Sequence, residues 1–414
     1  MKRLFVFIII LFTSIMTLNA YPIDGFAQTG IRRLERLRLI LSGDLQGSIP
    51  VEGALIGVED IQLHLTGISS DSILFPITAD PALQAEVDAL FPNRDESYSM
   101  AIMDITPGKP FRYAARQENR PFSPGSVGKL VVIAGLFSEL MHLYPDNIQK
   151  RKEVLISRLV VADQWIRYDD HKVPVYDPET RAYASRVLVE GDLFSLYEWI
   201  DHMLSASANA AASIVWKEAL LMRAFGNQYP PTYEEEKQFF SSTPKAKLQE
   251  MAVSIVNDPL RQAGITKDEW QLGSFFTRRG KEMIPGIGSW GNPAGMLKYL
   301  VRLEQGQIVD VWSSLEIKRL MYMTAKRIRY ASSPRLTSSA VYFKSGSLYK
   351  CKQEPDFECK KYMGNVENVM NSVAIVEHPD GRVYCVALMS NILKKNSAVE
   401  HQTLATYIDR ILSQ

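Results

Sequence analysis

Ser123-Pro124-Gly125-Ser126-Val127-Gly128-Lys129-Leu130-Val131-Val132-Ile133-Ala134 runs from a proline–glycine turn into an apolar stretch. The turn predicts a helix start, and the apolar density predicts that this helix is buried. Ser126 then falls at the helix N-terminus, where the backbone dipole favours developing negative charge. Lys129, three residues on, shares its face one turn later. A serine hydroxyl is a poor nucleophile until a base takes its proton. A lysine held in a dry site beside other cations has its pKa lowered towards that task. The plainer reading, a helix cap with a surface lysine, leaves a charge unexplained on a buried helix.

Two further motifs lie downstream. Ser207-Ala208-Asn209 follows the helical run from Phe194 to Leu204 and precedes Ala210, Ala211 and Ala212, which places it on a short loop between helices. Ser205 offers a competing register, but only Ser207 has an asparagine two residues later. Taken alone, this motif is read equally well as loop capping. Lys344-Ser345-Gly346 lies on a strand read from Val341 to Leu348. A glycine inside a strand marks close backbone approach, here by a ligand or by the facing helix. A simple edge-strand lysine explains that glycine less well.

An S-x-x-K, an S-x-N and a K-S-G, in this order and widely spaced, resemble the motif set of class A β-lactamases and penicillin-binding proteins. The resemblance covers the chain from about Glu96 to its end. It implies Ser126 as acyl-accepting nucleophile, Lys129 as its base and Ser207 as proton relay to the leaving nitrogen. It implies Asn209 on the substrate amide, and Lys344 and Ser345 on a substrate carboxylate. The N–H groups of Ser126 and Ser347, flanking Gly346, would form the oxyanion hole. It implies no cofactor, and no Cys/His spacing resembles a metal site.

The same resemblance exposes a departure. Pro285-Gly286, then Asn292-Pro293-Ala294-Gly295-Met296 opening a helix, look like the end of the class A omega loop and the helix after it. The glutamate that activates the deacylating water in those enzymes stands eight residues before the proline, which here is Thr277; the asparagine four residues later becomes Lys281. Glu269, or the more distant Glu234, Glu235 and Glu236, are the candidates for a repositioned carboxylate. Asn371 aligns with the carboxylate-binding arginine of many class A enzymes.

Around the motifs, Pro81 to Leu90 reads as a helix, and Met100–Ile105 with Phe111–Ala115 as a hairpin across Thr106-Pro107-Gly108-Lys109. Ala340–Tyr349, Ser372–Glu377 and Val383–Ser390 read as strands, the last two joined by His378-Pro379-Asp380-Gly381, and a closing helix spans Ala398–Leu412. Residues 124–320 are mostly helical in pattern. Strands at both ends with helices between predict an α+β fold: one antiparallel sheet flanked by helices, with an inserted all-helical subdomain. That is the β-lactamase/transpeptidase-like architecture the resemblance implies, and it assigns residues 81–414 to one serine hydrolase domain.

Residues 21–80 lie outside that resemblance and receive no role. Within them Gly30–Leu41 has helical spacing, and Val58–Leu65 alternates like a strand through Ile61, Leu63 and Leu65. They either pack on the main domain or meet a partner. Residues 1–20 read as a signal peptide: Lys2 and Arg3, an apolar stretch from Leu4 to Leu18, and Ala20 at the cut. An uncleaved anchor is the alternative for this segment and the only membrane contact expected. The protein is therefore expected to be exported, periplasmic or secreted. In such a compartment Cys351 and Cys359, flanking a polar loop, stand at even odds of pairing, while Cys385 sits among strand residues as a buried thiol. His171, beside Asp169 and Asp170, reads as a loop histidine.

The chain of 414 residues is 46% hydrophobic with a net charge of +1, which gives no reason to expect nucleic acid as a partner. The expected partner is a small-molecule β-lactam or a peptidoglycan stem peptide. Two functional readings from different classes remain. One is an acylating serine hydrolase, either β-lactamase-like or D,D-peptidase-like. The other is a binding or scaffold protein that keeps the fold without turnover.

Overall fold

The computed structural model describes residues 24–69, 72, 73 and 75–413. The expected signal segment lies outside the described residues. At the centre is a five-stranded antiparallel sheet assembled from both ends of the chain. Its strands run in the order Arg112–Arg116, Ser99–Asp104, Val383–Asn391, Glu367–Glu377 and Ala340–Lys350. Gly108 (φ 76°) and Gly381 (φ 86°) supply the left-handed turn positions of the two tight hairpins.

Period-2 alternation divides the strand side chains between two cores. Ala101, Met103, Tyr342, Val373, Ile375, Cys385 and Ala387 face the helical region. Met100, Ile102, Val341, Phe343, Ala374, Tyr384 and Val386 face the helices Pro81–Asp88 and Ala398–Leu412. With both faces covered, the central strands read as unbroken apolar runs instead of alternating ones. The helical region is inserted between the second and third strands of the sequence. Its axis is the Lys129–Leu143 helix, in which Leu130 to Ile133 are wholly buried.

The inserted region is not all helical. Lys172–Tyr176 pairs with Tyr183–Val187 as a small hairpin, and Leu159–Val161 pairs with Leu193–Ser195. These strands are too short to show a period against the helical background. The expected strand over Val58–Leu65 is also absent. Val58–Asp60 is a 3₁₀ turn and the rest is irregular. Ile61 and Leu65 are buried, as the alternation required, but Leu63 between them is only half-buried. The backbone of this stretch, however, bonds to a helix end: Leu65 N–H donates to Glu304 O (3.1 Å) and His64 N–H to the Glu304 carboxylate (2.7 Å). Once those donors are satisfied there, no strand partner is needed.

The N-terminal extension packs on the main domain. Its Arg32–Leu41 helix pairs Arg32 with Glu198 (2.7 Å) and Arg33 with Asp201 (2.6 Å) on the Leu196–Leu204 helix. Ile31, Leu34, Val58, Ile61 and Leu65 join the larger core. The Arg33–Asp201 pair is almost wholly buried, so removing one partner costs about 3–5 kcal/mol. The extension thereby holds the helix that leads into the Ser207 loop.

Candidate active site

Ser126 lies in a 3₁₀ turn, Gly125–Gly128, that feeds the helix starting at Lys129. Two glycines let this turn dock against the edge strand of the sheet. A β-carbon on Gly346 would stand 2.7 Å from Pro124 O, and one on Gly125 (φ 50°) would stand 2.9 Å from the Ser347 amide nitrogen. The strand glycine is therefore explained by the facing turn. Asn371, opposite Gly346 in register, donates to Ser123 O (2.8 Å) and Pro124 O (3.0 Å) and is fully buried. It fastens the serine turn and does not stand free to bind a carboxylate.

The expected residues converge. Lys129 Nζ lies 2.8 Å from Ser126 Oγ, 2.8 Å from Asn209 Oδ1 and 2.6 Å from Ser207 O. Lys344 Nζ donates to Ser207 Oγ (2.8 Å), so a chain of polar groups runs from Ser126 through Lys129 and Ser207 to Lys344. Ser207 closes the loop between the helices Leu196–Leu204 and Asn209–Phe225 at φ 60°. That left-handed backbone presents both its carbonyl and its hydroxyl to the two lysines. Ser345 Oγ is buried and has no hydrogen-bond partner among the described residues.

Burial sets the electrostatics. Lys129 is 0% exposed, and desolvation lowers its pKa to about 7 against the opposing charge of Asp169. Lys344 is held well below the usual amine range, first by burial and then by the positive charges of Lys129 and Arg329. An amine with a pKa near neutrality is a competent base at pH 7.

Three groups were not singled out from the sequence. Arg329 (φ 53°) donates to Gly346 O (2.6 Å) and Ser347 Oγ (3.1 Å), and so supplies a guanidinium where Asn371 does not. No periodicity marks its segment, and its position depends on a fold of the chain after residue 322. Asp169 accepts hydrogen bonds from His171 Nδ1 (2.6 Å) and Ala210 N–H (2.8 Å). Burial pushes the Asp169 carboxyl up, but these bonds bring it below its ordinary value. His171 lies on a loop, as expected, and that loop borders the cleft in front of Ser126. The acidic neighbours noted in the sequence were the available signal. Phe276 places its ring 4.9 Å from Lys129 Nζ.

The stretch expected to carry deacylation places no carboxylate on the cleft. Thr277 is 1% exposed and caps the Arg278–Met283 helix, accepting from Gly280 N–H (2.9 Å). It also bonds Ser213 Oγ (2.9 Å) and donates to Trp165 O (3.1 Å). Glu269 pairs with Lys298 (3.4 Å) and accepts from Thr266 N–H (2.6 Å), and it does not line the cleft. Glu236 is taken by Lys217 (2.7 Å). Neither carboxylate faces the serine.

The cleft in front of Ser126 has a volume of about 870 Å³. One of its walls is the segment after the edge strand, where Cys351 and Cys359 form a disulfide and Tyr362 packs under the Arg329 guanidinium (5.1 Å). The sequence had left that pairing open.

The model of a family described as "Beta-lactamase enzyme family" matches residues 82–411. No curated protein sequence matches the chain. Among solved structures, a class A beta-lactamase from Bacteroides cellulosilyticus DSM 14838 is similar at 13% identity and a TM-score of 0.51, covering 80% of this chain and 96% of that one. The TLA-3 extended-spectrum beta-lactamase is similar at 12% identity and a TM-score of 0.52, covering 80% and 98%. PBP-A is similar at 12% identity and a TM-score of 0.50, covering 81% and 97%. At such identities these structures establish the shared fold alone.

Proposed function

The chain belongs to the beta-lactamase enzyme family, and from that premise we propose that it is an exported serine hydrolase forming an acyl-enzyme at Ser126 with β-lactams or D-alanyl peptides. The observation that carries this reading is the buried Lys129 amine, 2.8 Å from Ser126 Oγ with a pKa of about 7.

Neutral Lys129 takes the Ser126 proton as Oγ bonds to the substrate carbonyl carbon. The carbonyl electron pair moves to oxygen, where the Ser126 and Ser347 amides are the proposed donors. When the pair returns, the C–N bond breaks, and the leaving nitrogen receives a proton from the Ser207 hydroxyl, which Lys129 replenishes. Lys344 and Arg329 receive the substrate carboxylate, with the unpartnered Ser345 hydroxyl beside it. Asn209 binds the substrate amide.

Deacylation needs water to attack the Ser126 ester while a base takes its proton. An aromatic ring lies against Lys129, Glu236 and Glu269 are paired elsewhere, and Glu234 and Glu235 lie outside the residues lining the cleft. We therefore propose slow release, with β-lactam hydrolysis inefficient and a D,D-peptidase-like role the alternative. The test is mass spectrometry of the protein over time after exposure to a fluorescent penicillin. A persistent adduct on Ser126 is expected. Rapid turnover would overturn slow release, and no adduct at all would favour a protein that keeps the fold for binding.

A further inference from the structure

The mouth of the cleft is charged out of proportion to the chain. Lys172, Lys281, Lys326 and Lys361 line it, and Arg329 and Lys344 lie deeper, whereas Asp170 is the only acidic residue on its walls among the described residues. The whole protein carries a net charge of only +1, so this is a local concentration and no reflection of a basic chain. The four rim lysines are solvent-exposed, and none has a carboxylate partner among the described residues. Some lysines elsewhere are paired, such as Lys217 with Asp163 and Glu236 and Lys318 with Glu304 and Glu377, and others, such as Lys109 and Lys267, are not among the described residues; what sets the four apart is their gathering on one cleft with a single acidic neighbour.

The rim lysines come from four separate segments. Lys172 opens the small hairpin, and Lys281 lies on the Arg278–Met283 helix. Lys326 follows the Val311–Tyr322 helix, and Lys361 follows the disulfide loop. Gathering like charges around one mouth without carboxylate partners raises the free energy of the empty protein, and an anionic ligand relieves it. Lys344 and Arg329 suffice for the single carboxylate beside a scissile amide. A bicyclic β-lactam carrying one carboxylate would leave all four rim lysines unmatched.

We infer that the acyl donor is a peptide bearing further free carboxylates along its length, which the Lys172, Lys281, Lys326 and Lys361 rim receives while its C-terminal carboxylate enters at Lys344 and Arg329. This rests on the acyl-transfer reading above for the location of the scissile bond. The rim itself can be tested without any acylation.

The experiment is calorimetric titration of the full chain carrying Ser126→Ala. The probes are two synthetic pentapeptides ending in D-Ala-D-Ala, one with two internal glutamates and its twin with glutamines. At low salt the glutamate peptide should bind tighter by roughly tenfold or more, the low end of what a cleft of one charge sign provides. The advantage should shrink at about 0.5 M salt, where the screening length falls to a few ångströms. Replacing the four rim lysines together (Lys172→Gln, Lys281→Gln, Lys326→Gln, Lys361→Gln) should abolish it. Lys109→Gln, on an exposed turn outside the cleft, should leave it intact. Equal binding of the twins, no binding of either, or an advantage that survives the four replacements would each overturn the inference. Failure of the acylation reading is seen separately, as absence of penicillin labelling in the natural protein.

Discussion

On one wall of the cleft, Ser126, Lys129, Ser207 and Lys344 are joined hydroxyl to amine in one chain of hydrogen bonds. On the facing wall, formed by the segment from Leu272 to Lys281, the Phe276 ring lies beside the lysine amine, and the neighbouring Thr277 turns inward to cap a helix. The first wall has the groups needed to form an ester at serine. The second offers no carboxylate to activate the water that would break it. The two halves of a hydrolytic cycle thus have separate structural supports, and a fold can keep one without the other.

The largest effect should come from Ser126→Ala. The hydroxyl is the proposed nucleophile and the change removes a single atom, so covalent labelling should vanish while the far-ultraviolet dichroism stays native. Labelling that persists would move the nucleophile off this wall altogether.

Lys129→Ala should slow labelling by roughly 10²–10⁴-fold, the usual range for general-base help. The pH profile sharpens the point. Burial lowers the amine from its ordinary 10.5 to about 7, so above that pH it is neutral and able to accept the serine proton, and below it is charged and unable to. Labelling should therefore fall as the pH drops through about 7, and that limb should be missing from Lys129→Ala. A limb that survives would belong to another group.

The asymmetry between the walls was only partly legible in the chain. Motifs carried by local pattern were readable: a serine and lysine one turn apart on an apolar run, a glycine inside a strand, and a closing helix that spans Ala398–Leu412 as expected. The facing wall was not, because counting back from Pro285 assumes a loop of fixed length. The count selected Thr277, which the helix cap turns away, whereas the residue beside Lys129 is Phe276. Arg329 was missed for a related reason: its role comes from a left-handed backbone position and a docked strand, neither of which leaves a periodic trace. The irregular stretch around Ile61 shows the converse, since Ile61 and Leu65 are buried as a strand would bury them while the backbone hydrogen bonds go to Glu304.

Phe276→Glu should supply what the second wall lacks. The ring is half-buried beside the Lys129 amine, so a carboxylate there has access to water and a cation nearby. The penicillin adduct should shorten in lifetime by about tenfold or more, below the 10²–10⁴-fold of an optimised base because the geometry is not refined. Phe276→Gln separates charge from lost bulk and should leave the lifetime near that of the natural protein. Equal shortening in both variants would mean that the ring only excludes water.

Glu269→Gln carries the smallest expected effect. A glutamate reaching the acyl ester across a rearranged loop would rescue the second wall, and its neutralisation would then trap the adduct. Glu269 instead accepts from Thr266 N–H (2.6 Å), contacts Lys298 at 3.4 Å and lies outside the residues bordering the cleft. Glutamine retains an oxygen for the Thr266 amide and loses only a loose, partly exposed ion pair, worth about 1 kcal/mol or less. Adduct formation and decay should both match the natural protein when followed by intact-mass spectrometry. A longer-lived adduct in Glu269→Gln would place a water-activating carboxylate on the facing wall after all and remove the distinction between the two.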